Sequence, residues 1–233
     1  NLFDRGKKNG ATVELINANE IKKLAPYANI TSGRGLWSPN TSVINPLEII
    51  KKLREDIEKK GVKIFYSVQK WVLNKNSSCI TINENTEIHF GHFVNASGLQ
   101  SDKIAHKFNV GLDYKIIPFK GAYWKVRKNF PFKINLNLYP VPDLSVPFLG
   151  VHFTPNCLNN SINIGPTAIP ALGRENYKFF ENVELKNAIF NFSFLAKQYF
   201  TDRGGFRSYV NEQALLGIPF LFLKAAKELI PNI

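Results

Sequence analysis

The chain of 233 residues has the length of one large domain or two small ones, and 44% apolar with 21% charged residues is the composition of a folded globular protein. That balance excludes whole-chain disorder, a collagen-like fibre and a coiled coil. Lys plus Arg 30 against Asp plus Glu 18 gives a formal net charge of +12, which attracts phosphates, anionic surfaces and acidic small molecules without choosing among them.

In chain order, residues 10–45 read as a loop-rich segment with a short helix over 15–24 and a turn at Ser32-Gly33-Arg34-Gly35. A helix over 46–60 follows. Leu47, Ile50, Leu53 and Ile57 recur at helical spacing, Pro46 suits the first turn, and Gly61 suits the residue past the end. Its cations Lys51, Lys52, Arg54, Lys59 and Lys60 are interleaved with Glu48, Glu55, Asp56 and Glu58, the pattern of a solvated helix face and not of a nucleic-acid surface.

Residues 62–66, 68–73, 79–82, 87–90 and 93–96 read as short strands separated by Asn/Ser/Glu turns. After Asn95-Ala96-Ser97-Gly98, a helix capped by Ser101 or Asp102 runs to about 108, with Ile104, Ala105 and Phe108 on one face. Strands at 121–127, 136–139, 148–154 and 161–165, rich in Pro and aromatic residues, predict a second, antiparallel sheet. Helices over 183–199 and 219–229 complete the chain, with Gly204-Gly205 as a break.

Cys79 and Cys157 stand far apart without metal-ligand spacing, and His89 and His92, three apart in a strand-like segment, point to opposite faces, so neither a disulfide nor a metal site is expected. No export signal is visible, and the longest apolar run, 214–223, is too short to span a bilayer, so a reducing cytoplasmic setting is the expectation. The chain contains no Met, even at position 1, which implies an upstream segment.

The densest information lies in short motifs that fall in order. They are Val94-Asn95-Ala96-Ser97-Gly98-Leu99 with Ser101-Asp102, Ile117-Pro118-Phe119-Lys120-Gly121 with Tyr123, and Leu138-Tyr139-Pro140-Val141-Pro142. Then come Pro147-Phe148-Leu149-Gly150-Val151-His152-Phe153-Thr154, and Gly165-Pro166-Thr167-Ala168 leading to Arg174-Glu175-Asn176-Tyr177. Together they resemble the D-amino-acid-oxidase-like FAD-dependent oxidoreductases, nearest to their L-2-hydroxyglutarate oxidase/dehydrogenase branch.

The resemblance implies an α+β fold: a partial FAD-binding, Rossmann-like domain with a mixed sheet over 1–111, and an antiparallel-sheet substrate domain over 112–233. It implies FAD as cofactor, although no GxGxxG turn occurs in these residues. Val68 matches the strand position that meets the adenine, and Ala96, Ser97 and Gly98 match the turn beside the pyrophosphate and ribityl chain. Small residues at a strand end let a backbone approach a ligand closely.

The implied reaction is oxidation of a 2-hydroxy acid, with His152 as the group that accepts the hydroxyl proton. Arg174, Lys120, Tyr123 and Tyr139 are the groups expected to hold a dicarboxylate, Arg through bidentate contacts and Tyr through directional hydrogen bonds. The expected partners are that small molecule, a complementing N-terminal FAD segment, and a membrane electron-transfer chain met peripherally at the inner membrane; nucleic acid is not among them. A second reading is a non-catalytic domain of such an enzyme that does not hold FAD stably by itself.

Overall fold

The computed structural model of the chain describes residues 2–83, 85–127, 129–131, 133–142, 150–159, 161–178 and 180–233. The chain divides into two compact units, one built from Asn1–Asn45, Phe119–Ile169 and Phe192–Ile233, the other from Pro46–Pro118 and Pro170–Asn191. The class is α+β.

The first unit opens with helix α1 (Leu2–Lys8), strand β1 (Glu14–Asn17), helix α2 (Ala18–Leu24) and strand β2 (Arg34–Trp37), with β1 and β2 antiparallel. The helix predicted over 15–24 is therefore shorter. Asn17 adopts extended backbone angles and caps α2, its side chain accepting from the N–H groups of Asn19 and Glu20, while the Glu20 carboxylate accepts from the N–H of Asn17. Such a reciprocal box fixes the helix start after Asn17 and releases Leu15 and Ile16 to the strand.

The main sheet of this unit has the order β6-β8-β7, from β6 (Phe119–Lys125), β7 (His152–Pro155) and β8 (Ile162–Pro170). β7 and β8 run antiparallel, with His152 opposite Gly165 and Phe153 opposite Ile164. The strand predicted over 136–139 is reduced to one antiparallel bridge, Leu138 with Phe153. Of the strand predicted over 148–154, residues 148 and 149 lie outside the described residues.

After helix α5 (Leu185–Thr201), Gly204 and Gly205 take positive φ, as the break requires, and helices α6 (Phe206–Leu216) and α7 (Pro219–Leu229) follow. The core of the unit joins sheet to helix: Val151, Phe153 and Ile164 pack with Ile134 against Phe222, Ala226 and Ile230, the last three recurring at i, i+4, i+8. Phe153, Ala226 and Ile230 have no solvent exposure.

The second unit holds helix α3 (Pro46–Lys59), ended by Gly61 at φ +81°, and an antiparallel meander β3 (Trp71–Asn74), β4 (Cys79–Ile82), β5 (Thr86–His89). A 3₁₀ turn (Gly98–Gln100) leads into helix α4 (Ser101–Lys107). The mixed sheet expected here is replaced by this meander: residues 62–66 and 93–96 carry no strand pairing in the described chain. Apolar pattern alone does not make a strand without a neighbour to receive its hydrogen bonds. Phe93 instead packs its ring against Trp71, Phe90 and Phe108. Among the described residues no helix is long and apolar enough to cross a membrane.

Candidate functional site

In the first unit the sheet gathers aromatic and titratable side chains around β7. Leu138 and Phe153 exchange backbone hydrogen bonds of 3.0 and 2.9 Å, so the residues one step away, Tyr139 and His152, face each other. Their rings stack with centroids 4.2 Å apart at 23°. On the other side, His152 is opposite Gly165 in β8. A Cβ at Gly165 would come within 2.9 Å of the Ala122 carbonyl and of the Tyr123 ring, so glycine is what lets β6 bring Tyr123 close. Tyr123, Gly165, His152 and Tyr139 thus form one transverse row.

His152 is buried, and its Nδ1 lies 2.9 Å from the Gly150 carbonyl. A carbonyl only accepts, so Nδ1 carries the proton and donates, which makes Nε2 the basic nitrogen of the neutral ring. Burial pushes the imidazole pKa below its ordinary value, and the Gly150 carbonyl offsets part of that by favouring the protonated ring. The ring is thereby held neutral with one defined lone pair. Lys120, three positions from Tyr123 on the same strand, falls on the opposite face of the sheet and outside the row.

Arg174 belongs to the second unit and is not an open carboxylate receptor. Its side chain is 3% exposed and forms a bidentate pair with Asp102, Nη1–Oδ1 at 2.5 Å and Nη2–Oδ2 at 2.6 Å, while Nη1 also donates to the Leu99 carbonyl. The Arg174 backbone N–H donates to Glu184, whose carboxylate also meets Lys103 at 3.6 Å. The guanidinium fork is thus engaged by a buried carboxylate and a carbonyl within its own unit, and is not set out as the open carboxylate receptor that the sequence led one to expect.

Asp102 likewise is not the cap proposed for α4. Beyond the guanidinium it accepts from the backbone N–H groups of Lys103 and Ile116. Arg174 above all, with these two amides, holds its carboxyl far below the usual carboxylate range. Hydrogen bonding from the Arg174 backbone in the same way lowers Glu184.

The cofactor candidates also lie in the second unit. Val68 lines an apolar groove of about 370 Å³ together with Phe65, Trp71, Ile80, Ile88 and Phe93. Asn95 shapes the turn that follows: its Oδ1 accepts from the Ser97 hydroxyl at 2.6 Å, and its amide donates to the Ser101 carbonyl at 2.8 Å. Gly98, at φ +53°, has nothing within 4 Å of where a Cβ would stand.

Sequence reasoning missed the Gly150 carbonyl, the clearance at Gly165 and the Asp102–Arg174 pair. The first two are backbone features with no side-chain signal, and the third joins residues 72 apart in the chain. It also pointed away from metal ligands, whereas strand pairing brings Cys79, Glu87 and His89 to within 4.8 Å of one another.

The family is shown by comparison: residues 1–217 match the model of the DAO family, described as FAD dependent oxidoreductase, and the chain belongs to that family. It is 36% identical over 187 residues to the mitochondrial L-2-hydroxyglutarate dehydrogenase of Caenorhabditis briggsae, covering 77% of this chain and 42% of that protein. The L-2-hydroxyglutarate dehydrogenase of Indibacter alkaliphilus is 32% identical over 244 aligned positions, covering 100% of this chain and 58% of that protein. That of Escherichia coli K12 is 29% identical over 179 residues, 76% of this chain and 42% of the relative. The chain thus spans about two fifths to three fifths of the length of these relatives.

Proposed function

We propose that this chain is the part of an FAD-dependent 2-hydroxy acid oxidoreductase that carries the proton-accepting and substrate-orienting groups, with L-2-hydroxyglutarate as the substrate. The observation that carries the reading is the His152 ring, buried, neutral, stacked on Tyr139 and committed at Nδ1 to the Gly150 carbonyl. That arrangement leaves Nε2 to take the hydroxyl proton as the C–H bond is broken. Tyr139 and Tyr123 flank it and supply hydroxyl donors to a carboxylate; Lys120, on the other sheet face, acts on the field and not by contact. Arg174 supports the fold of the second unit.

FAD, when bound, supplies the hydride acceptor. Val68 would meet its adenine in the apolar groove, and Ala96, Ser97 and Gly98 would approach its phosphate and ribityl portion through their backbone. On this reading the second unit carries the cofactor contacts and the first unit the substrate contacts. The names of the relatives support the choice of substrate.

The test combines flavin retention and reduction. The chain is incubated with FAD and desalted, and retained flavin is then mixed anaerobically with L-2-hydroxyglutarate. Loss of the flavin absorbance in the wild type, slowed by about 10²- to 10⁴-fold in His152→Gln, is the expected result for loss of a general base. Retention of flavin without reduction, or reduction equally fast in the variant, overturns the role of His152.

The lack of a GxGxxG turn in these residues favours a second reading, in which the chain alone holds no flavin. Complete loss of flavin on desalting, with recovery on adding a segment that carries such a turn, would establish it.

A further inference from the structure

The polar face of the β3–β4–β5 meander carries a thiol, an imidazole and a carboxylate that no part of the flavin reading uses. Cys79 is opposite His89, and Thr81 is opposite Glu87. The Phe90 N–H donates to the Ser78 carbonyl at 3.0 Å, so residues 78 and 90 form a hydrogen-bonded pair and the next pair, Cys79 with His89, is of the other kind. In an antiparallel ladder that second kind brings Cα atoms to about 4.5 Å and side chains closest together. Glu87 is two residues before His89 and so shares its face. The apolar side chains of the meander, Ile80, Ile88 and Trp71, point to the opposite face and line the groove described above.

The ligand atoms of Cys79, Glu87 and His89 all lie within 4.8 Å of one another, with His89 Nε2 3.8 Å from Glu87 Oε2. Around a tetrahedral zinc ion, bond lengths of about 2.0–2.3 Å place neighbouring ligand atoms ~3.3–3.7 Å apart. Closing the remaining gap asks little, because the Glu87 and His89 side chains are each 67% exposed and free to swing, while Cys79 is fixed in a paired strand.

We propose that Cys79, Glu87 and His89 form a binding site for a divalent transition metal, Zn²⁺ by preference, with water as fourth ligand. One thiolate, one imidazole and one carboxylate are the donors that select such a cation over Mg²⁺ or Ca²⁺, and the two anionic groups balance its charge in a chain of net charge +12. On binding, the Cys79 thiol releases its proton to solvent and gives up its weak 3.7 Å contact with the Ile80 carbonyl. The ion bridges β4 and β5 and ties the two strands together independently of flavin.

The probe is Co²⁺ added to the full chain after chelator treatment, followed by displacement with Zn²⁺. The expected result is one equivalent bound, with a thiolate-to-cobalt charge-transfer band and the visible bands of a tetrahedral site. Loss of even an outer partner of a metal site costs about 10- to 100-fold in affinity, so Cys79→Ser and His89→Ala should each weaken Zn²⁺ binding by at least ~10-fold. Cys157→Ser, which alters the other, exposed cysteine, should leave the spectrum unchanged. His89→Ala keeps the test decisive if Cys79→Ser fails to fold, since His89 is on the surface. A spectrum without a thiolate band, a band that follows Cys157, or Zn²⁺ affinity unchanged in His89→Ala overturns the site.

Discussion

The two units are held together by different means. In the first, a sheet presses Phe153 and Ile164 onto one face of α7, and the centre is apolar and closed to solvent. In the second, a buried ion pair joins Asp102 to Arg174, while the apolar stripe of α3 remains in solvent: Leu47 is 74% exposed and Ile50 65%. The first arrangement gains from every apolar area removed from water and has no preferred partner. The second depends on a few directional contacts, each of which leaves a charge behind if its partner is removed.

The comparison breaks most visibly at its two centres. Phe153→Ala empties the middle of the first unit, and a fully buried Phe→Ala change costs about 3–5 kcal/mol, read as a lowered denaturant midpoint. Asp102→Ala should cost a similar ~3–5 kcal/mol in the second unit, because Arg174 would stay buried without a counter-charge. The two differ in what repairs them. Replacing both members of the pair, Asp102→Leu with Arg174→Met, should recover most of the loss, whereas no polar substitution rescues Phe153→Ala. A double variant as unstable as Asp102→Ala alone would show that the pair's hydrogen bonds to Leu99, Lys103 and Ile116 matter more than its charges.

A smaller effect is expected where the second unit packs backbone on backbone. A Cβ at Gly173 would stand inside contact distance of the Asn182 carbonyl, so Gly173→Ala forces 170–191 to shift and should cost about 1–3 kcal/mol in thermal unfolding.

Acid separates the units by pH window. His152 has a folded pKa below its unfolded value near 6.5, so the unfolded chain takes up the proton first. Its contribution to stability is complete above about pH 6.5 and fades as pH falls through the folded value, a slope that His152→Gln should remove. Asp102, also depressed, contributes fully above its unfolded value near 3.9 and loses that contribution only below it. Denaturant melts from pH 8 to 3 should therefore show the first unit weakening before the second, and the opposite order would contradict both assignments.

Much of this was legible in the sequence because local signals decided it. Pro46 and Gly61 bracket α3, Gly204-Gly205 separate α5 from α6, and the meander follows its turn residues. The family motifs named His152 and Tyr139 as a site, but their stacking depends on the Leu138–Phe153 bridge, which no spacing along the chain reveals. The partner of Arg174 is hidden for a related reason: a cation in a polar loop looks the same whether it meets a substrate or a carboxylate 72 residues away. The helix over 206–216 leaves little trace in the sequence, because Tyr209, Gln213 and Leu216 offer a weak apolar rhythm beside a glycine break.

The smallest expected effect asks what the exposed stripe of α3 is for. Leu53 is 54% exposed, so Leu53→Lys should change the stability of the second unit by no more than about 0.5 kcal/mol. Lys52 with Glu55 and Arg54 near Glu58 lie off the Leu53 side of α3, so the added cation leaves those contacts in place. A native helix seldom keeps four apolar residues on one side without use for them, since such a patch favours association. If Leu53→Lys lowers stability by well over 1 kcal/mol, the stripe is covered in solution and the second unit owes more to apolar packing than its Asp102–Arg174 centre suggests. If stability is unchanged, the contrast stands: the first unit closes its apolar face against α7, whereas the second adds a buried ion pair to its aromatic packing and leaves the stripe of α3 in solvent.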